Sequence, residues 1–261
     1  MDRSPSYLID KISPEHFIFQ HTFMYVIKGI VSCYDGSETH TFRSGECGIA
    51  RKNRFARYKK EKEDDEIDKV FVFFDDVFLR TFQERYKPSM AKFKLTDTLI
   101  RLQSTELIDN FISSFKPYYD GRGRIKAPFA DVKREELLLI LLNNNANIAS
   151  LFFDFDRLEK INIEEFMNRN YRFNVSIERF AYLTGRSLSA FKRDFHEIFG
   201  DTPSKWLIKK RLEEAYFLLD KKGARPSEIH FDLGFETFSH FSSAFKKKFG
   251  ISPTDLLKER Q

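Results

Sequence analysis

The sequence predicts an α+β protein: a strand-rich N-terminal part, a helical pair, and an all-α C-terminal part. Three observations predict it. Short runs of alternating apolar residues occupy the first ninety-odd positions, with turn chemistry such as Lys28-Gly29 and Asp35-Gly36 between them. Two stretches of helical apolar period follow, between residues 96 and 153. The pattern F-x3-F-x3-F-G-x-[ST]-P then occurs twice, starting at Phe191 and, fifty positions later, at Phe241. A repeat of that length marks two related helical units.

In the first part, residues 17–27 read as one strand with Phe17, Phe19, Phe23, Tyr25 and Ile27 on a single face. More strands are predicted over 39–43, 47–51, 54–58 and 67–74, with Ser44-Gly45-Glu46 turning between two of them. Six or so short strands of this kind make a small jelly-roll barrel. If the barrel binds an effector, Phe19, Phe23 and Tyr25 would line the pocket; otherwise it is simply filled, which the 30 phenylalanines of the chain favour. The basic run 51–62 and the acidic run 63–68 read as a solvated hairpin or a partner surface. His40 stands alone on its segment, and His16 and His21 fall on opposite strand faces, so no metal site is predicted. Cys33 and Cys47, the two cysteines of the chain, read as packed, reduced thiols.

The helical pair is predicted over 96–115, with Leu99, Leu102, Leu107, Ile108, Phe111 and Ile112, and over 132–153. Residues 120–124, Asp-Gly-Arg-Gly-Arg, form a loop between them, and residues 153–160 the joint to the last part. The expected organisation is therefore 1–95, 96–155 and 156–261. The helical pair either buries itself or forms a homodimer, and residues 137–142, apolar nearly all round and more than one intramolecular face requires, favour the homodimer.

In the last part each phenylalanine triplet recurs every four residues, giving one buried stripe per helix and freeing the opposite face. That face carries Ser189, Lys192, Arg193 and His196 in the first unit and Ser239, His240, Ser243 and Lys247 in the second. Upstream, Gly185 follows Phe180, Ala181 and Leu183, and Gly234 follows Ile229, Phe231 and Leu233, so each unit reads helix, glycine turn, helix. Gly200 and Gly250 close the second helices, and Thr202-Pro203 and Ser252-Pro253 open the next ones. A connector helix over 203–220 has Ile208, Leu212, Ala215, Tyr216 and Leu219 on one stripe, with Lys209, Lys210 and Arg211 clustered toward one end. Of the 44 Lys+Arg and 39 Asp+Glu, 20 and 15 fall within 157–261, which leaves 24 of each upstream. The whole net charge of +5 thus lies in the C-terminal part, an excess modest for a DNA binder but of the sign that phosphate contacts need. Lys246-Lys247-Lys248 is either a solvated helix face or a phosphate anchor.

Residues 161–257 resemble the DNA-binding domain of the AraC/XylS family of bacterial transcription regulators. The resemblance rests on Ala181-x3-Gly185, Phe191-Lys192-Arg193-x-Phe195, Phe199-Gly200-x2-Pro203, Arg211-x3-Ala215, Gly234-Phe235, Phe241-x3-Phe245-Lys246 and Phe249-Gly250-x-Ser252-Pro253. It implies seven helices, with two helix-turn-helix units whose recognition helices enter neighbouring segments of major groove in double-stranded DNA. The implied contact positions are Ser187, Ser189, Lys192, Arg193 and His196 in the first unit and Thr237, Phe238, Ser239, His240, Ser243 and Lys247 in the second. Arg193 offers the strongest base readout, so the first unit is expected to supply most of the specificity. Phe238 either meets a thymine methyl or packs inside, and His230 replaces the small alanine usual in the family, so it needs a cavity or a ring partner. The strand-rich part is similar to the cupin-like sensor domain that many of these regulators carry. A transcription activator working with RNA polymerase, as a dimer and under a small-molecule or protein effector, is what the resemblance implies. No cofactor, metal or catalytic motif is predicted, so an enzyme is not expected. Without an 18-residue apolar run or a secretion signal, the chain is expected to be cytoplasmic.

Overall fold

The computed structural model describes residues 15–61, 68–89, 97–118, 127–155 and 160–258, which belong to two compact units, Met1–Asp156 and Arg157–Gln261. The first unit contains β1 (Glu15–Ile18), β2 (His21–Lys28), β3 (Ile30–Tyr34), β4 (Thr39–Arg43), β5 (Cys47–Ala50), β6 (Arg54–Glu61), β7 (Asp68–Phe74), α1 (Asp76–Tyr86), β8 (Leu99–Leu102), α2 (Glu106–Phe115), α3 (Ala127–Asn144) and α4 (Ala149–Phe152). Its strands form two antiparallel four-stranded sheets, ordered β1-β6-β3-β4 and β7-β2-β5-β8. Asp35 shapes the β3–β4 hairpin by accepting from the amides of Ser37 (2.9 Å) and Glu38 (3.0 Å), the Asx geometry that short polar side chains favour in turns.

The second sheet is covered on both faces, and the alternation along β2 shows how. Phe23 pairs with Ile49 of β5 and Val72 of β7, and Tyr25 with Cys47 and Val70. These six pack against Leu79, Phe82, Ile108, Phe111, Phe115, Leu137, Leu138 and Leu141 of the helices. Met24 and Val26 point the other way, to Val31, Phe42 and Phe71 between the two sheets. Gly48 sits where Phe42 of the facing sheet and the Ile100 carbonyl both come within 2.8 Å of where a Cβ would stand, so no side chain fits. The unit is therefore three layers deep, sheet on sheet on helices, and six consecutive buried residues in β2 follow from burial on both sides.

Several expectations are corrected here. Residues 17–27 are two strands in different sheets, with Phe19 at the break and 65% exposed. Phe19 consequently does not share the face of Phe23 and Tyr25: Phe19 meets solvent, while Phe23 and Tyr25 fill the sheet–helix layer, where the Tyr25 hydroxyl donates to Asp109 at 2.9 Å. The helix expected over 96–115 begins at Glu106, because Leu99–Leu102 instead closes the open edge of β5 as β8. The stretch 132–153 is one helix to Asn144, a 3-10 turn capped by Asn145, and α4. Along α3, Leu137, Leu138 and Leu141 are buried, whereas Phe129, Val132 and Leu139 are exposed. The loop 120–124, positions 62–67 of the charged run and positions 156–159 of the joint lie outside the described residues, as does the His16 side chain.

Cys33 and Cys47 are buried free thiols, and burial pushes the Cys47 thiol up to about 12. His21 is buried against the Phe152 ring (5.5 Å), accepts from the Lys52 amide through Nδ1 (3.4 Å), and leaves Nε2 without a hydrogen-bond partner. Burial, and then the charges of Lys52, Arg51 and Arg54, hold its pKa well below the ordinary value. Among the described residues no group of His, Cys, Asp and Glu could hold a metal ion, and no helix is long and apolar enough to cross a membrane.

The second unit is helical: α5 (Ile163–Asn170), α6 (Ile177–Leu183), α7 (Leu188–Phe199), α8 (Pro203–Lys222), α9 (Pro226–Asp232), α10 (Phe238–Phe249) and α11 (Pro253–Lys258). The phenylalanine stripes lie inside. Phe191 and Phe195 are fully buried, and Phe195 and Phe199 close on Trp206 of α8 at 5.6 and 4.7 Å. Phe245 and Phe249 close on Tyr216, further along the same helix, at 6.2 and 4.9 Å. Full burial of such a ring contributes about 1.5–3 kcal/mol each. One detail matters later: of the cluster Lys209, Lys210 and Arg211, Arg211 is buried, in the row Leu207, Arg211, Ala215, Leu219.

Candidate nucleic-acid interface

Both helix-turn-helix units are built by the same local chemistry. In the first, Ser176 caps α6, and the chain reverses at Thr184-Gly185, where Gly185 has φ +68° and the buried Thr184 hydroxyl donates to the Ala181 carbonyl at 2.8 Å. Ser187 then caps α7 by accepting from the Ala190 amide, and Gly200 ends it in a left-handed conformation. In the second, Gly234 (φ +78°) makes the turn, Thr237 caps α10 by accepting from the His240 amide, and Gly250 ends it. Each recognition helix is twelve residues long, with its phenylalanines inward and its N-terminal amides outward, where a phosphate is favoured.

On α7, Ser187, Ser189, Lys192, Arg193 and His196 are all exposed. The Arg193 side chain is 75% exposed and bonded to the neighbouring Asp194 carboxylate, at 3.2 Å from Nε and 3.0 Å from Nη2. An exposed pair of this kind is worth at most about 1 kcal/mol, so the guanidinium is held in a folded-back position that a base edge can outcompete. Asp194 has a second partner, Arg186 of the turn, whose Nε lies 3.1 Å away. Arg186 first and Arg193 second hold the Asp194 carboxyl below the usual carboxylate range. Arg186 also donates to the carbonyls of Ile161 and Thr184, at 2.9 and 2.7 Å, so it ties the recognition helix to its own turn and to the residues before α5.

On α10, Thr237, Phe238, Ser239, His240, Ser243 and Lys247 are exposed. Phe238 is half-packed. Its ring packs edge-on against His230 at 5.6 Å and against Phe241 at 6.1 Å, and still presents 39% of its surface to solvent. His230 thereby has the ring partners its size demands, although its Nδ1 is buried without a hydrogen bond. The His240 ring leans on Phe235 at 5.7 Å. Of the lysine run, all three exposed, Lys248 is folded onto α8, donating to the Lys209 carbonyl (3.2 Å) and to Glu213 (2.9 Å).

Three arginines escaped the sequence reading. Arg225, 76% exposed at the N-cap of α9, sits at the start of the helix that precedes the second recognition helix, a position suited to a phosphate. Its only signal was an arginine directly before Pro226. Arg211 was missed because an arginine beside Lys209 and Lys210 looks solvated unless its place on the apolar period of α8 is counted, and Arg186 because it lies in the turn between α6 and α7, where no periodicity marks a side chain as packed.

The chain matches the family described as the ExsA N-terminal regulatory domain over residues 21–151, and a helix-turn-helix domain over residues 180–259. Among curated proteins it is similar to the virulence regulon transcriptional activator VirF of Yersinia enterocolitica, 22% identical over 235 residues that make up 88% of this chain and 86% of that protein. It is similar as well to the HTH-type transcriptional regulator ExsA of Pseudomonas aeruginosa, 22% identical over 88% of this chain and 83% of that protein. Among solved structures, apo ToxT of Vibrio cholerae aligns with 15% identity and a TM-score of 0.45 over 92% of this chain and 89% of that one. The DNA-binding domain of AdpA in complex with a target DNA aligns with 23% identity and a TM-score of 0.35 over 37% of this chain and 87% of that one.

Proposed function

Because the chain belongs to the AraC/XylS family of transcription regulators, in the group that carries an ExsA-type N-terminal regulatory domain, we propose that it is a sequence-specific DNA-binding activator that lays α7 and α10 into adjacent segments of major groove. The observation that carries this reading is the duplicated unit. Two equal recognition helices, each capped at its N-terminus and stopped by a left-handed glycine, turn polar and basic side chains outward from a phenylalanine-locked inner face. Arg193, Lys192 and Ser189 read bases in the first unit; Ser239, His240 and Ser243 read them more weakly in the second, with Phe238 offered to a thymine methyl. Lys247 and Arg225 neutralise phosphates, with the capped helix N-termini at Ser187 and Thr237.

The N-terminal unit serves regulation. The exposed Phe129, Val132 and Leu139 lie on one side of α3, at spacings of three and seven, and support association with a second copy of the chain. RNA polymerase is the partner that activation requires, and control by an effector or protein ligand of the N-terminal unit completes the scheme.

The test is selection from random duplexes by the full chain near physiological salt. Enrichment of two sequence blocks about one helical turn apart is expected. A folded protein that binds only weakly, without a motif, would defeat the proposal.

A further inference from the structure

The connector helix α8 sets how far apart the two helix-turn-helix units stand, but a helix alone does not set how each unit is rotated about it. The contacts that hold the units to α8 are largely aromatic, Phe195 and Phe199 on Trp206 for the first and Phe245 and Phe249 on Tyr216 for the second. Such contacts are strong but weakly directional. One group on α8 is directional and reaches both units. The buried Arg211 guanidinium donates from Nε to the Tyr171 carbonyl (2.7 Å), from Nη2 to the Phe173 carbonyl (2.8 Å) and from Nη1 to the Gly234 carbonyl (2.8 Å). Tyr171 and Phe173 belong to the segment between α5 and α6, in the first unit; Gly234 is the turn of the second.

The surroundings of Arg211 are built to the same end. A Cβ on Gly234 would stand 2.6 Å from the Arg172 carbonyl, so the backbones of the two units touch beside the guanidinium. One turn of α8 away from the connector's Arg211, Glu214 accepts from the Arg172 side chain and from the Tyr171 hydroxyl, which pins the first unit's segment to α8 a second time. Arg186 then ties α7 into that same unit. We infer that Arg211 is a positioning residue that fixes the mutual setting of the two recognition helices, and through it the half-site spacing the protein accepts. This inference rests on the two-reader function proposed above. The planar fork of fixed donors is essential to it, since a lysine ammonium at the same place cannot hold three carbonyls from two segments in one plane.

The experiment compares full-chain protein and its Arg211→Lys variant on the selected two-block operator and on the same operator with one base pair inserted or removed between the blocks. One base pair rotates one block by about 34° and moves it by about 3.4 Å relative to the other. Wild-type protein is expected to lose at least about tenfold in affinity on either altered operator, because one recognition helix is put out of register. The variant is expected to keep its base preferences within each block while its spacing penalty falls to about threefold or less. A variant that is uniformly weaker but keeps the full penalty would overturn the inference and reduce Arg211 to a stabilising residue. A wild-type protein indifferent to spacing would instead bring down the two-reader function itself. Should Arg211→Lys fail to fold by the fluorescence of Trp206, Arg172→Ala carries the test at the partly exposed side of the same latch. A penalty at least halved supports the inference, and an unchanged one overturns it.

Discussion

Gly234 and Gly250 share a φ of +78°, yet a methyl group added at each meets opposite surroundings. At Gly250 nothing lies within 4 Å; at Gly234 the new carbon would come 2.6 Å from the Arg172 carbonyl oxygen and 2.8 Å from Cζ of Arg211. The left-handed backbone costs an alanine about 1–2 kcal/mol, and the stiffer unfolded chain returns about 0.4–1 kcal/mol. Gly250→Ala should therefore destabilise the second unit by about 1 kcal/mol. Gly234→Ala carries the same terms and must also displace Arg211 from at least one or two of its carbonyls, at about 1.5–3 kcal/mol for each hydrogen bond to a charged group. A total near 4 kcal/mol is expected, on the order of 3 kcal/mol beyond its twin. Urea unfolding followed through Trp206, the single tryptophan of the chain, reads the compact unit Arg157–Gln261 as a whole, because that ring lies on α8, against which both helix-turn-helix units pack. If the two variants fall within about 1 kcal/mol of each other, the close approach at Gly234 is not what its lack of a side chain protects.

Arg193→Ala should weaken binding to the selected operator by about 1–3 kcal/mol and relax preference at one base pair in competition with singly substituted operators; an equal loss on random DNA would make Arg193 a phosphate contact. Lys247→Ala should flatten the slope of log affinity against log salt by about one unit with base preference intact, and an unchanged slope would remove it from the phosphate contacts. The folded His21 has a pKa below its unfolded value, so its neutral form contributes stability above about pH 6.5 that is lost as pH falls, by up to about 1.4 kcal/mol per pH unit. Far-UV circular dichroism melts from pH 7.0 to about 5 should show His21→Gln losing less stability than wild type over that range, and parallel curves would contradict the assignment. Charged substitution at two exposed α3 positions, Val132→Lys with Leu139→Lys, should convert a dimer to a monomer in sedimentation without changing the spectrum; a wild-type chain monomeric at every concentration would refute the proposed interface.

The helical half was legible because its signals are local. A phenylalanine every fourth residue defines a helix face whatever surrounds it, and the Gly200 and Gly250 stops, like the Pro203 and Pro253 starts, act through their own backbone. The strand-rich half was legible strand by strand but not in its layering. Alternation assigns residues to two faces and does not say what covers each one, so Phe23 and Tyr25 could be read as pocket lining or as the filling of a barrel, when they are the floor of a helical layer. Leu99 and Leu102 misled for a related reason. Spacing of three suits a helix, and only the unpaired edge of β5, invisible in the sequence, turns the segment into a strand. At the candidate interface, which side chains face outward could be read from periodicity; that Arg193 is folded onto Asp194 and that Arg211 joins two units could not, since both depend on partners brought together by the fold.

The double burial of the second sheet bears on how this protein can be cut. A fragment ending after β7 would lose β8 and the whole helical layer, leaving the edge of β5 unpaired beside Phe23, Tyr25, Cys47, Ile49, Val70 and Val72 laid bare on one flat surface. Such a surface, with an open strand edge at its border, invites pairing with another chain. The strands therefore cannot be excised as a soluble module. Expression fragments, protease-resistant cores and natural recombination joints in this half are expected to retain α2 and α3 with the sheet they roof.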